Sequence, residues 1–275
     1  MIMSMKEIIE DFLYKKVIKN LMLTSRLGRQ SVLGEASSGY NFDHMYENKA
    51  EGDGPFGKLI DRILLNLPAV KATRNRRLSI NKILLNEIAN HKVEGKPTRV
   101  LDIACGAGRY LLDVSQMLKA KNIETLGVDF DTKSISRGEA LAHKYNVPAS
   151  SLRFLRGNVF RLQLLKRFGE KIAWEPNIIV SSGLTVYIDD NKISELLKQV
   201  YASLDRGGLF LVDSQESNPS RKLMEKVCNT KEGAWILFYR QPEVWRKWLY
   251  QTGFRDIRIS RDSWEMYNIC TARKP

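Results

Sequence analysis

Long apolar runs are missing from this 275-residue chain: no stretch approaches the ~18 consecutive apolar residues that a membrane-spanning helix needs. Metal-ligand spacing is missing too. The three cysteines, Cys105, Cys228 and Cys270, lie far apart, no Cys-x-x-Cys occurs, and His44, His91 and His143 are scattered. That excludes a zinc-type cluster and a framework of paired disulfides. An odd number of separated thiols reads as buried, reduced side chains, hence as a cytoplasmic protein that holds no metal. A signal-peptide core is also lacking, because Glu7, Glu10, Asp11 and Lys15 interrupt the apolar residues of Met1–Leu23. Internal repeats and low-complexity linkers do not occur.

What the chain holds in excess is base, with 44 lysines and arginines against 31 acids and a formal net charge of +13. Such a balance suits nucleic acid or an anionic surface. The excess is spread out, however. Its densest run is Lys71, Arg74, Arg76 and Arg77, with Lys82 beyond and no acid from Ala69 to Asn86. It reads as a solvated helical face rather than a binding stripe.

The length allows one large domain, or one domain with an extension. Residues 1–95 read as a helical extension. An amphipathic helix opens it and runs to about Met22, with Ile8, Ile9, Phe12, Leu13 and Val17 at helical spacing. An irregular stretch with six glycines follows from Gly28 to Gly57, then a basic helix pair broken at Pro68. Residues 96–275 change character. Strands are expected at Thr98–Ala104, Ile123–Asp129, Leu152–Arg156, Asn177–Ser182, Gly208–Ser214, Phe254–Ser260 and Tyr267–Ala272. Helices are expected at Arg109–Lys119, Lys133–Tyr145, Lys192–Ser203 and Pro242–Gln251. Alternation of this kind implies parallel βαβ units. The last two strands, joined by the short Arg261–Met266, should pair antiparallel at one edge. The expected fold is α/β: a doubly wound, mixed seven-stranded sheet with helices on both faces and its last strand antiparallel.

Two motifs carry chemistry. In Val100-Leu101-Asp102-Ile103-Ala104-Cys105-Gly106-Ala107-Gly108-Arg109-Tyr110 an apolar strand ends in a glycine turn and a helix follows. Such a turn lets backbone approach a ligand, and the helix start offers unpaired N–H groups. Leu111 stands where the third glycine of a dinucleotide fingerprint would fall, so that fingerprint is broken. The Asp102 carboxylate can brace the loop or reach a cationic ligand group. The second motif, Leu126-Gly127-Val128-Asp129-Phe130-Asp131, ends a strand with Asp129, 21 residues beyond Gly108. A carboxylate there can accept from both hydroxyls of a ribose. Asp131 is a further ribose contact or the N-cap of the next helix. Cys105 reads as a small loop filler.

On these motifs, residues 98–272 resemble class I S-adenosylmethionine-dependent methyltransferases. Arg156-Gly157-Asn158-Val159 occupies the third landmark, with Asn158 where an acidic residue is usual; an amide oxygen can also accept from the adenine amine. Ile178 to Tyr187 match the family's fourth-strand region near the sulfonium, Asp205-Arg206-Gly207-Gly208 the turn before strand five, and Gly253-Phe254 the approach to strand six. The N-terminal Tyr40–Ala50 and Leu64–Arg77 segments resemble those of a bacterial branch with an N-terminal helical extension. Some members of that branch are joined to or near hydrolases of lipid type. The resemblance implies a Rossmann-like fold with S-adenosylmethionine as cofactor, held by Asp102, Ala104, Gly106, Gly108, Arg109, Asp129, Phe130, Asn158, Val159 and Ser181.

The acceptor is less legible. Tyr40, His44, Tyr187, Trp235 and Tyr239 are candidates for its pocket, with residues 1–95 as its cover, while Trp245, Trp248 and Leu249 read as core. No general base stands out; His44 and Tyr187 are weak candidates. Three readings follow: a methyltransferase acting on a small-molecule or lipid-like acceptor, an RNA methyltransferase motivated by the charge, and a non-catalytic protein that binds S-adenosylmethionine.

Overall fold

A computed structural model describes residues 4–90, 96–118, 122–162 and 175–275. The chain forms two compact units: Met1–Arg74 with Asn218–Leu237, and Asn75–Ser217 with Phe238–Pro275. The boundary expected at residue 95 falls among residues outside the description. The units divide instead at residues 74 and 75, inside the helix Pro68–Asn90. The reason lies in that helix's second half. Ile80, Leu84 and Ile88, four residues apart on one face, are at most 2% exposed and belong to the core of the sheet.

The larger unit is built on seven strands. β1 (Thr98–Ile103), β2 (Ile123–Asp129), β3 (Leu152–Arg156), β4 (Ile178–Ser181) and β5 (Leu209–Gln215) run parallel. A short ribbon of β6 (Asn229–Thr230) and β7 (Gly233–Ala234) belongs to the other unit. β8 (Arg255–Arg261) and β9 (Tyr267–Arg273) complete the sheet, in the order β3-β2-β1-β4-β5-β9-β8. β9 is antiparallel to both neighbours and lies between β5 and β8, leaving β8 at the edge. Alternation along each strand divides the core in two. Leu101, Ile103, Ile179, Phe210 and Val212 face the helices Asp190–Ser203 and Pro242–Thr252, with Trp245 and Leu249 fully buried among them. Val100, Ile178, Val180 and Leu211 pack with the helices Pro68–Asn90, Arg109–Met117 and Thr132–Lys144.

The smaller unit corrects one expectation. The stretch expected to be irregular between Gly28 and Gly57 holds helices Arg26–Val32 and Gly39–Glu47 and the start of Gly54–Leu65. Their starts are written in short polar residues: the Ser25 hydroxyl accepts from Gly28 N–H, and that of Ser38 from Asn41 N–H. The glycines at 52 and 57 serve close approach, since a Cβ on either would collide with backbone, including the Thr24 carbonyl. Pro68 begins the long helix, where a missing N–H costs nothing.

Candidate functional site

The loop after β1 turns by three residues with positive φ: Ala104 (58°), Gly106 (56°) and Gly108 (65°). Alanine in that region is strained, and strain of this sort gathers at ligand loops. Gly108 is required twice over, because an added Cβ would also stand 2.5 Å from the Phe154 ring. Arg109 opens the helix Arg109–Met117 and is 7% exposed. Cys105 is buried beneath the loop, and burial, with Asp102 and Asp129 nearby, pushes its thiol well above the usual range. It is therefore no thiolate nucleophile.

Asp102 lies in β1 between Gly127 and Val180 and is 1% exposed, yet neither carboxylate oxygen has a hydrogen-bond partner. Burial pushes its pKa well above the ordinary carboxylate range; Asp129 and Asp213 add to the rise and Arg76 opposes it. Asp102 makes no hydrogen bond to the loop. The loop is held instead by Asp129. Its Oδ2 accepts from Gly106 N–H at 2.7 Å and its Oδ1 from Asp131 N–H at 2.8 Å. Burial raises the Asp129 pKa, and these backbone bonds hold it back. The Phe130 backbone contributes too, and the carboxylate still keeps lone-pair capacity for a further donor. Asp131 is a helix cap, accepting from Ser134 N–H at 3.2 Å and Ser134 Oγ–H at 2.7 Å.

Around the rim, Phe130 is 72% exposed, with the Arg156 guanidinium 5.5 Å from its ring centre. Asn158 caps the short turn Val159–Arg161: its Oδ1 accepts from Phe160 N–H at 2.9 Å. One lone pair of the oxygen expected to face adenine is thus in use. Val159 is buried beside it. Ser181 ends β4 fully buried, its hydroxyl without a partner.

Behind the loop lies a charged network that neither motif announces. Asp213 of β5 pairs with Arg76 at 2.8 Å, the two being 1% and 3% exposed. Asp213 also accepts from Gly183 N–H at 2.7 Å and from Ser182 Oγ–H at 3.2 Å, and Ser182 meets the Tyr110 hydroxyl at 2.8 Å. Arg76 stacks over Tyr267, 4.6 Å from its centre. The three arginines of the basic run are therefore engaged within the protein, while Lys82 is exposed. Arg74 donates to the Leu65 carbonyl at 2.9 Å, Arg76 serves Asp213, and Arg77 grips Asp113 through two bonds of 2.7 and 2.6 Å. A signal was available: Arg76 extends the stripe of Ile80, Leu84 and Ile88 by one helical turn.

The acceptor candidates fall in both units. Tyr40, His44 and Trp235 belong to the smaller, Tyr187 and Tyr239 to the larger. Within the larger, Phe238 N–H donates to the Val186 carbonyl at 2.8 Å, so the segments bearing the two tyrosines adjoin. Tyr40 lies under the Arg26 guanidinium, 5.4 Å away, and Trp235 is 8% exposed. His44 is wholly enclosed, its Nε2 bonded to Asp61 Oδ2 at 2.9 Å. Asp61 accepts as well from Leu27 N–H and Glu51 N–H. Such a histidine ties chain segments together and has no path to a substrate proton. Among the described residues no group of histidine, cysteine and acidic side chains could hold a metal ion.

The strand order and the glycine loop share the Rossmann-like fold of solved methyltransferases. The chain belongs to the family described as "Putative methyltransferase", whose model matches residues 2–274. It is similar to "Uncharacterized protein YnbC" of Escherichia coli (strain K12), at 24% identity over 238 residues covering 86% of this chain. The match takes in 40% of YnbC, so the chain spans about two fifths of that relative's length. Among solved structures, a possible exported protein from Bordetella parapertussis superposes with a TM-score of 0.71 at 19% identity, over 93% of this chain and 85% of that one. Magnesium protoporphyrin IX methyltransferase from Synechocystis PCC 6803, with S-adenosylhomocysteine bound, gives 0.58 at 12% identity, over 89% and 99%.

Proposed function

We propose that this chain binds S-adenosylmethionine at the loop after β1 and transfers its methyl group to a small-molecule or lipid-like acceptor. The observation that carries the reading is Asp102. A carboxylate withdrawn from water without a donor is costly, and a cation delivered to it removes the cost. S-adenosylmethionine supplies an electrophilic methyl group on a sulfonium, and it brings an ammonium and two ribose hydroxyls. Asp102 would accept from the ammonium. The backbone N–H groups of residues 106–109 would meet the carboxylate at the helix start. Asp129 would accept the ribose hydroxyls on its remaining lone pairs, and Phe130 would cover one face of the adenine. The second lone pair of Asn158 Oδ1 would take the adenine amine, with Val159 packed beside the ring and Ser181 donating nearby.

Acceptor alignment falls in this reading to Tyr187 and Tyr239 of the larger unit. In-line displacement demands alignment and exclusion of water more than a dedicated base. With His44 enclosed, Tyr187 is the proton acceptor to test. The internal use of Arg74, Arg76 and Arg77 favours a small-molecule acceptor over RNA. Calorimetric titration with S-adenosylmethionine tests the cofactor site, and no binding at millimolar cofactor would overturn it. Incubating the protein with methyl-labelled cofactor and fractionated lipid and polar extracts tests transfer. Binding without S-adenosylhomocysteine formation in any fraction would leave a non-catalytic binding protein.

A further inference from the structure

The opening helix of the smaller unit is mounted inside out. Helical conformation runs from Met5 to Leu23, starting in a full capping box in which Ser4 and Glu7 bond each other's backbone. The residues turned toward the protein are Glu10, Asp11, Tyr14, Ile18, Lys19, Met22 and Leu23. Lys226 reaches Asp11 at 3.0 Å and stands 5.6 Å from the centre of the Tyr14 ring, and Lys222 reaches Glu10 at 3.4 Å. The apolar side faces solvent. Ile8, Ile9, Phe12, Leu13, Val17 and Leu21 are 38–63% exposed, and they recur at the i, i+3 and i+4 spacing of a continuous stripe.

A helix pinned by its acids leaves an outward surface of apolar side chains bordered by base. Lys6 and Lys16 are exposed on it, and Lys15, also exposed, pairs with Asp11 at 2.6 Å. Glu7, the one exposed acid between Met5 and Leu23, is held in the capping box. We infer that this helix is a docking surface for an anionic lipid bilayer, lying in the headgroup plane with its apolar stripe inserted and its lysines at the level of the lipid phosphates. Charge favours a lipid surface over a protein groove: the exposed lysines match the sign of anionic headgroups, as does the chain's net charge of +13. No helix among the described residues is long and apolar enough to cross a membrane, so the helix would lie on the bilayer.

The test is co-sedimentation of the full chain with vesicles of phosphatidylcholine alone or mixed with phosphatidylglycerol. Binding to the anionic vesicles that weakens with added salt is expected, and little binding to the neutral ones. Ile9→Glu with Phe12→Glu should lower partitioning at least tenfold, in the range set by losing two buried apolar side chains. Lys16→Gln alone should lower it about fivefold. All three positions are exposed, so an unchanged melting curve keeps the comparison clean. Absence of vesicle binding by the folded wild-type chain overturns the inference. So does a concentration-dependent dimer in sedimentation velocity that Ile9→Glu with Phe12→Glu dissolves while no vesicle binds; the stripe would then belong to a second copy.

Discussion

Among the aspartates withdrawn almost completely from solvent, one from each compact unit invites comparison: Asp61 is 0% exposed and Asp102 1%. Asp61 is surrounded by donors. Burial pushes its pKa upward, but the hydrogen bonds from His44 and from the backbone of Glu51 and Leu27 outweigh it and hold the carboxylate below its ordinary value. Asp102 has no donor, so burial prevails and its pKa rises. Identical side chains, both closed off from solvent, are thus shifted in opposite directions from the ordinary carboxylate value. The difference separates a group whose bonding is complete within the fold from one that the proposed function would complete with the cofactor's ammonium.

The largest expected effect falls on the complete site. Asp61→Ala strands His44 and two backbone N–H groups, and urea denaturation should show a loss on the order of 3–5 kcal/mol. His44→Ala should likewise act through stability, and cofactor affinity of the folded fraction should hardly move in either variant. A variant of normal stability that failed to bind cofactor would break the comparison. Next comes Asp129→Ala. Removal of two charge-assisted bonds should weaken S-adenosylmethionine binding ~30- to 1000-fold by calorimetry. Unchanged affinity in a folded variant would confine Asp129 to bracing the loop.

Asp102→Asn sharpens the contrast, since the two measurements should move apart. Cofactor affinity should fall ~10- to 100-fold with the loss of one charged hydrogen bond. Thermal stability at neutral pH should hold or rise, because the unfolded chain ionises this group more readily than the native one. The pH dependences then carry opposite signs. Asp61 contributes stability that is complete above the unfolded aspartate range and disappears as pH falls through its lowered native value. Asp102 costs native stability as pH rises above the unfolded range. Its ionised form is the one an ammonium selects, so wild-type affinity should climb with pH up to the raised pKa and then level off. Affinity that falls with rising pH would rule out a carboxylate–ammonium contact. The smallest effect belongs to Asp131→Ala, which should cost about 1 kcal/mol of stability as a lost helix cap and leave affinity nearly unchanged.

Much of the larger unit was legible because its signals are local. Glycines in a turn, an acid at a strand end and period-two apolar runs each report on a few neighbouring residues. β2 and β3 occupy their expected spans, and the other main strands differ from expectation by a residue or two at their ends. The smaller unit was harder. A run with six glycines looked loose, whereas two of them (Gly52 and Gly57) let backbone segments touch. Arg76 looked like one more surface charge, because its partner Asp213 lies far along the chain on a buried strand.

By itself the sequence determined the class: the order of strands and helices, the glycine loop and Asp129 follow from periodicity and from what only glycine or a carboxylate can do at a turn. Tertiary structure decided the rest. It determined which polar groups met partners, leaving Asp102 bare while completing Asp61, enclosing His44 and turning the arginines of a basic run inward. It also decided which side of an amphipathic helix faces the protein, since composition reveals that a helix has two faces but not which one the fold will use.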